Sequence, residues 1–177
     1  GVEERFSDKT VNEVCRASFS MGEVKTGALI VIEQNVVLTE YEKTGIALDS
    51  LVSSQLLINI FEHNTPLHDG AVIIRGDRIV AATCYLPLSD NRELSKQLGT
   101  RHRAGVGISE VSDSLTIIVS EETGHVSMVQ GGVLHRGVTF SELKKAMRAV
   151  QNKTYMNNGK FRIWKRGRDR NEKDSDE

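Results

Sequence analysis

Residues 70–88 read GAVIIRGDRIVAATCYLPL, two apolar runs rich in β-branched residues that meet at Gly76 and Asp77. A two-residue Gly-Asp link between such runs predicts a β-hairpin, because glycine supplies the positive φ that tight hairpin turns require. Working outward, GALIVIE (27–33) is a short continuous apolar run, as expected of a strand covered on both faces. VVL (36–38), after a polar break, predicts a second short strand. On the other side, SLTIIVS (114–120) and HVSMVQ (125–130) are two more strands, separated by the turn EETG (121–124).

Helices are expected around these strands. Val11, Val14, Cys15, Ser18 and Phe19 recur at helical spacing behind FSDKT, where Ser7 or Asp8 caps, which predicts a helix over 8–21. Asp49 or Ser50 caps LVSSQLLINIFEH, whose Leu51, Leu56 and Ile60 form a stripe closed by Pro66. SDNRELSKQLG (89–99) reads as a capped helix ending at Gly99, and FSELKKAMRAVQ (140–151) as the last helix. Strands and helices that intermix without regular alternation predict an α/β (α+β) fold. The expected form is a single globular domain over residues 6–151, with a central mixed β-sheet flanked by helices and no internal repeat. Beyond it the pattern fails: KFRIWKRGRDRNEKDSDE carries six basic residues from Lys160 to Arg170, then turns acidic, so 152–177 reads as a charged, flexible tail.

Composition narrows the function classes. The 177 residues are 38% hydrophobic and 27% charged, which suits one soluble domain with a real core. Lys and Arg number 23 against 24 Asp and Glu, for a net charge of -1, so no overall basic field draws the chain to nucleic acid or anionic lipid. Any anion site must be local. Cys15 and Cys84 are too few for a disulfide framework and fall in apolar patterns, which predicts buried free thiols and a reducing compartment. The longest apolar stretch, GALIVIEQNVVL, is interrupted by Glu33, Gln34 and Asn35, so it is neither a membrane span nor a signal peptide. The chain opens on GVEER without methionine, and an N-terminal extension is expected.

Three stretches carry chemistry. In GTRHRAG (99–105), Arg101, His102 and Arg103 stand together between glycines; mutual repulsion disfavours such a cluster unless solvent disperses the charge or an anion gathers it. In HNTPLHDGAVII, His68 and Asp69 precede a glycine that opens a buried strand, where backbone can approach a ligand closely. Asp69 has an alternative role as a turn or cap residue, and a single histidine seldom marks a metal. In IIVSEETG, Ser120 and Glu121 close a strand, which is equally an ordinary strand-to-turn transition. Together they offer carboxylates for a divalent cation, glycines for close approach and two forked guanidiniums for phosphate oxygens, a set suited to chemistry on a nucleotide.

LHDGAVII, then GTRHRAGVGISE, then SLTIIVSEETG, in that order, is similar to the diadenylate cyclase domain. Its Asp-Gly-Ala and Arg-His-Arg motifs stand here as Asp69, Gly70, Ala71 and Arg101, His102, Arg103, with no departure in either, and the resemblance covers about Thr10 to Gln151. It implies the fold of that domain and condensation of two ATP into cyclic di-AMP with release of two pyrophosphates, assisted by Mg2+ or Mn2+. Asp69 would hold the metal and draw on the attacking 3′-hydroxyl; Arg101 and Arg103 would bind phosphate; His102 would assist or orient. Gly70 and Ala71 would bring backbone to the nucleotide, and Thr100 and Ser120 would donate hydroxyl hydrogen bonds. His68 and Glu121 are the remaining metal candidates. Tyr85 could stack on adenine while the Leu86 backbone reads its edge, although an aromatic at a strand end is as readily core.

The symmetry of the implied product calls for a transient face-to-face homodimer. Regulatory protein partners are possible, and nucleic acid is not expected. The helix-first start and charged tail are most similar to the membrane-anchored type, whose spanning segments would precede Gly1 and hold the domain at the cytoplasmic face. Two rival readings use the same residues: a regulatory module that senses ATP or a cyclic dinucleotide without turnover, and a metal-dependent phosphohydrolase that releases AMP or ADP.

Overall fold

A computed structural model describes residues 3–153. Of the tail expected over 152–177, Asn152 bridges to Glu4 and the Lys153 N–H donates to the Glu3 carbonyl, while the remainder, with its basic run, lies outside the described residues. In chain order the elements are α1 (Asp8–Glu23), β1 (Ala28–Ile32), α2 (Thr39–Glu42), β2 (Ile46–Leu51), α3 (Ser54–Phe61), β3 (Ala71–Arg75) and β4 (Arg78–Cys84). They continue with α4 (Thr100–Val111), β5 (Leu115–Val119), β6 (Val126–Gln130), β7 (Val133–His135) and α5 (Phe140–Gln151). The strands form one mixed seven-stranded sheet in the order β2-β4-β3-β1-β5-β6-β7, with β1 and β3 the parallel pair.

The central strand shows why the sheet is buried on both faces. Ala28, Ile30 and Ile32 of β1 point into a core shared with α1, α3 and α5, while Leu29 and Val31 point into a second core built with α4. Period-two alternation with apolar residues at every position is what a sandwiched strand requires. The β3–β4 hairpin turns through Gly76 and Asp77, with Gly76 at φ 61°. The helices α1 and α5 fall as the periodicity predicts. Ser7 caps α1 by accepting from the Thr10 N–H, and α5 opens with a reciprocal Thr139–Glu142 capping box.

Three expectations are corrected. Residues 36–38 are not a strand: the Asn35 and Val36 N–H groups donate to the Asp113 carboxylate and Leu38 N–H to Glu33, so carboxylates take the place of a neighbouring strand. Asp49 and Ser50 do not cap a helix but belong to β2, which pairs with β4, and the true cap of α3 is Ser53, accepting from Leu56 N–H at 3.1 Å. Residues 89–99 are turns, because Ser89, Asn91 and Ser95 side chains bond to backbone N–H groups two residues on and compete with a helix. The helix begins where that segment ends, at Thr100.

Candidate active site

Strand register gathers the distant motifs. Ile30 pairs with Val72 in the parallel β1–β3 ladder, so Ala28 stands level with Gly70. Ala28 itself pairs with Val119 across β1–β5, and Ala71 with Cys84 across β3–β4. Gly27, Gly70, Tyr85 and Ser120 therefore lie just beyond the ends of four adjoining strands, at one end of the sheet. It is the N-terminal end of the parallel pair, the reverse of the usual carboxyl-end site in open α/β sheets.

Each strand end is shaped by a local feature. Gly70 has φ +81°, and a Cβ there would lie 2.8 Å from the Cys84 carbonyl oxygen and 2.9 Å from the Thr83 carbonyl carbon, so only glycine fits. Thr83, β-branched, holds φ 51° at a register shift between β3 and β4. A bulge of this kind redirects the chain that follows, and local strain of this sort concentrates at functional sites. Tyr85 emerges from it exposed and outside the core, with its N–H donating to Thr44 Oγ1 at 2.8 Å. Leu86 is half-buried against the α4-side core, and Ala71 is buried in it.

TRHRAG (100–105) opens α4, preceded by Gly99, which provides no side-chain cap. Cations there oppose the helix dipole by roughly 0.3–1 kcal/mol each, whereas an anion is favoured by both the dipole and the free N–H groups. Arg101 lies across the Gly27 backbone, with Nη1 3.8 Å from Glu121 Oε2. His102 has its affinity for a proton lowered by burial first, then by Arg136 and Arg101, with Glu122 opposing. Thr100 is exposed at the helix start, and the Arg103 carbonyl accepts from Ser89 N–H at 3.0 Å, tying the segment after Tyr85 to α4.

Asp69 is 84% exposed by side chain, and its Oδ1 lies 3.3 Å from His68 Nε2. His68 Nδ1 stands 2.6 Å from the Thr65 carbonyl oxygen, an acceptor that fixes the ring. Ser120 Oγ accepts from Glu122 and Thr123 N–H groups, which leaves its own hydrogen available to a ligand. Among the described residues, no three His, Cys, Asp or Glu side chains cluster as a metal site. Of the candidates, Asp69 and His68 are adjacent, while Glu121 leans on Arg101. One exposed carboxylate fits Mg2+ or Mn2+, since such ions take their other ligands from substrate phosphates and water. Cys84, buried behind Gly70, has its thiol pushed up to about 11 by burial, and Cys15 likewise, so neither is a ready nucleophile.

Gly27, Thr44 and Arg136 are site neighbours that the sequence reading missed. Gly27 carried a usable signal, since it opens a buried apolar strand just as Gly70 does. Thr44 and Arg136 carry none, because only the fold brings them near Tyr85 and His102.

The family model described as DisA bacterial checkpoint controller nucleotide-binding (DAC) matches residues 15–134. Cyclic di-AMP synthase CdaA of Bacillus subtilis is 51% identical over 165 residues, which is 93% of this chain and 60% of that protein. A diadenylate cyclase of Listeria monocytogenes is 48% identical over 166 residues, 93% of this chain and 61% of that protein. The chain thus spans about three fifths of the length of these relatives. A crystal structure of a DacA double mutant from Staphylococcus aureus superposes with TM-score 0.80 at 49% identity, covering 81% of this chain and 96% of that one. A hypothetical membrane spanning protein from Bacillus cereus follows at TM-score 0.72 and 40% identity, covering 74% and 64%.

Proposed function

Since the chain belongs to the diadenylate cyclase (DAC) family, we propose that it condenses two ATP molecules into cyclic di-AMP and two pyrophosphates, each 3′-hydroxyl attacking the other nucleotide's α-phosphate. The observation that carries this reading is the convergence, at one sheet end, of Asp69–Gly70, Tyr85 and Ser120 with Arg101 at the start of α4. Asp69 accepts the hydrogen bond of the 3′-hydroxyl and draws off its proton as the oxygen attacks, a duty that suits an exposed carboxylate. Arg101 and Arg103 take phosphate oxygens and the leaving pyrophosphate with forked donors, Thr100 and Ser120 add hydroxyl donors, and His102 orients the cluster. Gly70 and Ala71 bring backbone to the nucleotide, while Tyr85 offers its exposed ring to adenine beside the Leu86 backbone. Asp69, with His68 and Glu121 as further candidates, would hold Mg2+ or Mn2+, which when bound offsets phosphate charge and lowers the hydroxyl pKa.

One chain carries one Asp-Gly-Ala and one Arg-His-Arg motif, which makes half of a site for a product with two equivalent linkages. The working unit is therefore an isologous pair that opens to exchange substrate and product, and a protein partner covering that face would regulate it. Residues 6–151 form the catalytic domain and 152–177 a charged tail. Among the described residues no helix is long and apolar enough to cross a membrane. Likeness to a protein described as membrane spanning supports anchoring of the full-length protein, with this domain at the cytoplasmic face. The test is chromatography of products formed from ATP with Mg2+ or Mn2+. Cyclic di-AMP and pyrophosphate, with a rate per chain that rises with enzyme concentration, are expected. AMP or ADP would replace the reading with the phosphohydrolase, and binding without pyrophosphate release with the sensor.

A further inference from the structure

The Arg101 side chain is held by a floor as well as by a partner. At Gly27, the residue before β1, an added Cβ would lie 2.5 Å from Arg101 Cζ and 2.8 Å from Nη2, and closer still to Nη1. All three nearest atoms belong to one guanidinium, which fills the space that a side chain at Gly27 would take. Glu121 Oε2, 3.8 Å from Nη1, flanks the same group from the β5–β6 turn. The Gly27 φ lies outside the left-handed region, so an alanine there is unstrained in its backbone, and the three nearest atoms it meets are the far end of a flexible side chain. A side chain at Gly27 and the present position of the Arg101 guanidinium thus exclude one another.

We propose that Gly27 is a positioning residue, whose bare backbone seats the Arg101 guanidinium so that its fork is aimed at the triphosphate before the nucleotide arrives. A long arginine in the first turn of a helix otherwise has many rotamers, and ordering them on binding weakens the affinity gained from each hydrogen bond. A bare backbone floor and a carboxylate at the side remove most of those rotamers in advance. The inference rests on the reading of the site as a triphosphate site and adds to it a residue outside both motifs.

Three titrations on the 177-residue chain test it, using ATP, inorganic triphosphate and adenosine as probes. Gly27→Ala is expected to weaken ATP and inorganic triphosphate by about tenfold, as for one mis-set charge-assisted bond, with adenosine binding and melting temperature unchanged. In an Arg101→Ala background the same substitution should cost nothing further, because the group it displaces is gone. Equal losses in both backgrounds, or full ATP affinity in Gly27→Ala when Arg101→Ala has lost it, overturn the proposal and leave the triphosphate reading intact. Failure of the parent chain to bind ATP or triphosphate sinks that reading instead. A second measurement needs no glycine variant: 15N relaxation of the Arg101 Nε–Hε group, assigned by its loss in Arg101→Lys. A rigid group, with order parameter above about 0.6 in the empty protein, is expected, and one as mobile as an exposed arginine overturns the seating.

Discussion

Where β3 turns into β4, the charged groups close on one another; at the other end of the same strands they stay open. At the turn, Arg75 bonds Glu33 at 2.7 Å and Glu42 at 3.0 Å, and Glu33 is buried. Asp77 Oδ1 accepts from the Ser7 N–H and hydroxyl and from the Thr10 hydroxyl, which staples α1 to the hairpin. At the opposite end, Arg101 has only a 3.8 Å contact with Glu121, and Asp69 stands out in solvent. Stability is drawn from the closed end. The open end leaves its charged groups without close ion pairs, which suits a place that a ligand completes.

The sharpest way to break this contrast is Asp69→Asn, which keeps the shape and removes the charge. Turnover should fall on the order of a hundredfold or more with melting unchanged, and near-parent rates of cyclic di-AMP formation would remove Asp69 from the chemistry. Next comes Arg75→Met at the closed end. It leaves the buried Glu33 carboxylate without its cation, and because Arg75 is itself partly exposed the expected loss is about 2 kcal/mol in urea unfolding. Activity per folded molecule should hold; lost activity at full stability would show that the two ends are not separate.

The smallest effect concerns His102, whose folded-state proton affinity lies below the ordinary value of 6.5, chiefly through burial. The unfolded chain then binds that proton more readily, so this contribution to stability is present above the ordinary histidine range and lost as pH falls through it. His102→Gln should flatten the acid limb of a stability–pH curve. An unchanged slope would mean that the imidazole is no less comfortable charged in the fold than out of it.

Legibility in the sequence followed the range of the forces involved. The β3–β4 hairpin, α1 and α5 were readable because a two-residue turn, a cap and an apolar stripe are local signals. β2 was hidden because its residues are mostly exposed on an edge, so no apolar alternation marks them. α4 was hidden by Gly99, Gly105 and Gly107 and by its basic first turn, all poor helix signals. Its helicity comes from packing Val106 and Ile108 into the second core. The motif residues could be named from the chain, but their shared address depends on strand register across four strands. Contacts such as Thr44 to Tyr85 exist only in three dimensions.

The pairing of β1 with β5 carries a further meaning for how the protein comes into being. β1 is made early in synthesis, yet its antiparallel neighbour leaves the ribosome only after both hairpin strands and α4 have been translated. Until then the edge of β1 that meets β5 lacks its partner, and Gly27 has no guanidinium above it. Non-local closure of this kind is slow and exposes sticky apolar edges while it waits. The cation cluster of α4 and the Ser120 turn are likewise translated after β1, β3 and β4, so the groups gathered at this end of the sheet come together only late in synthesis.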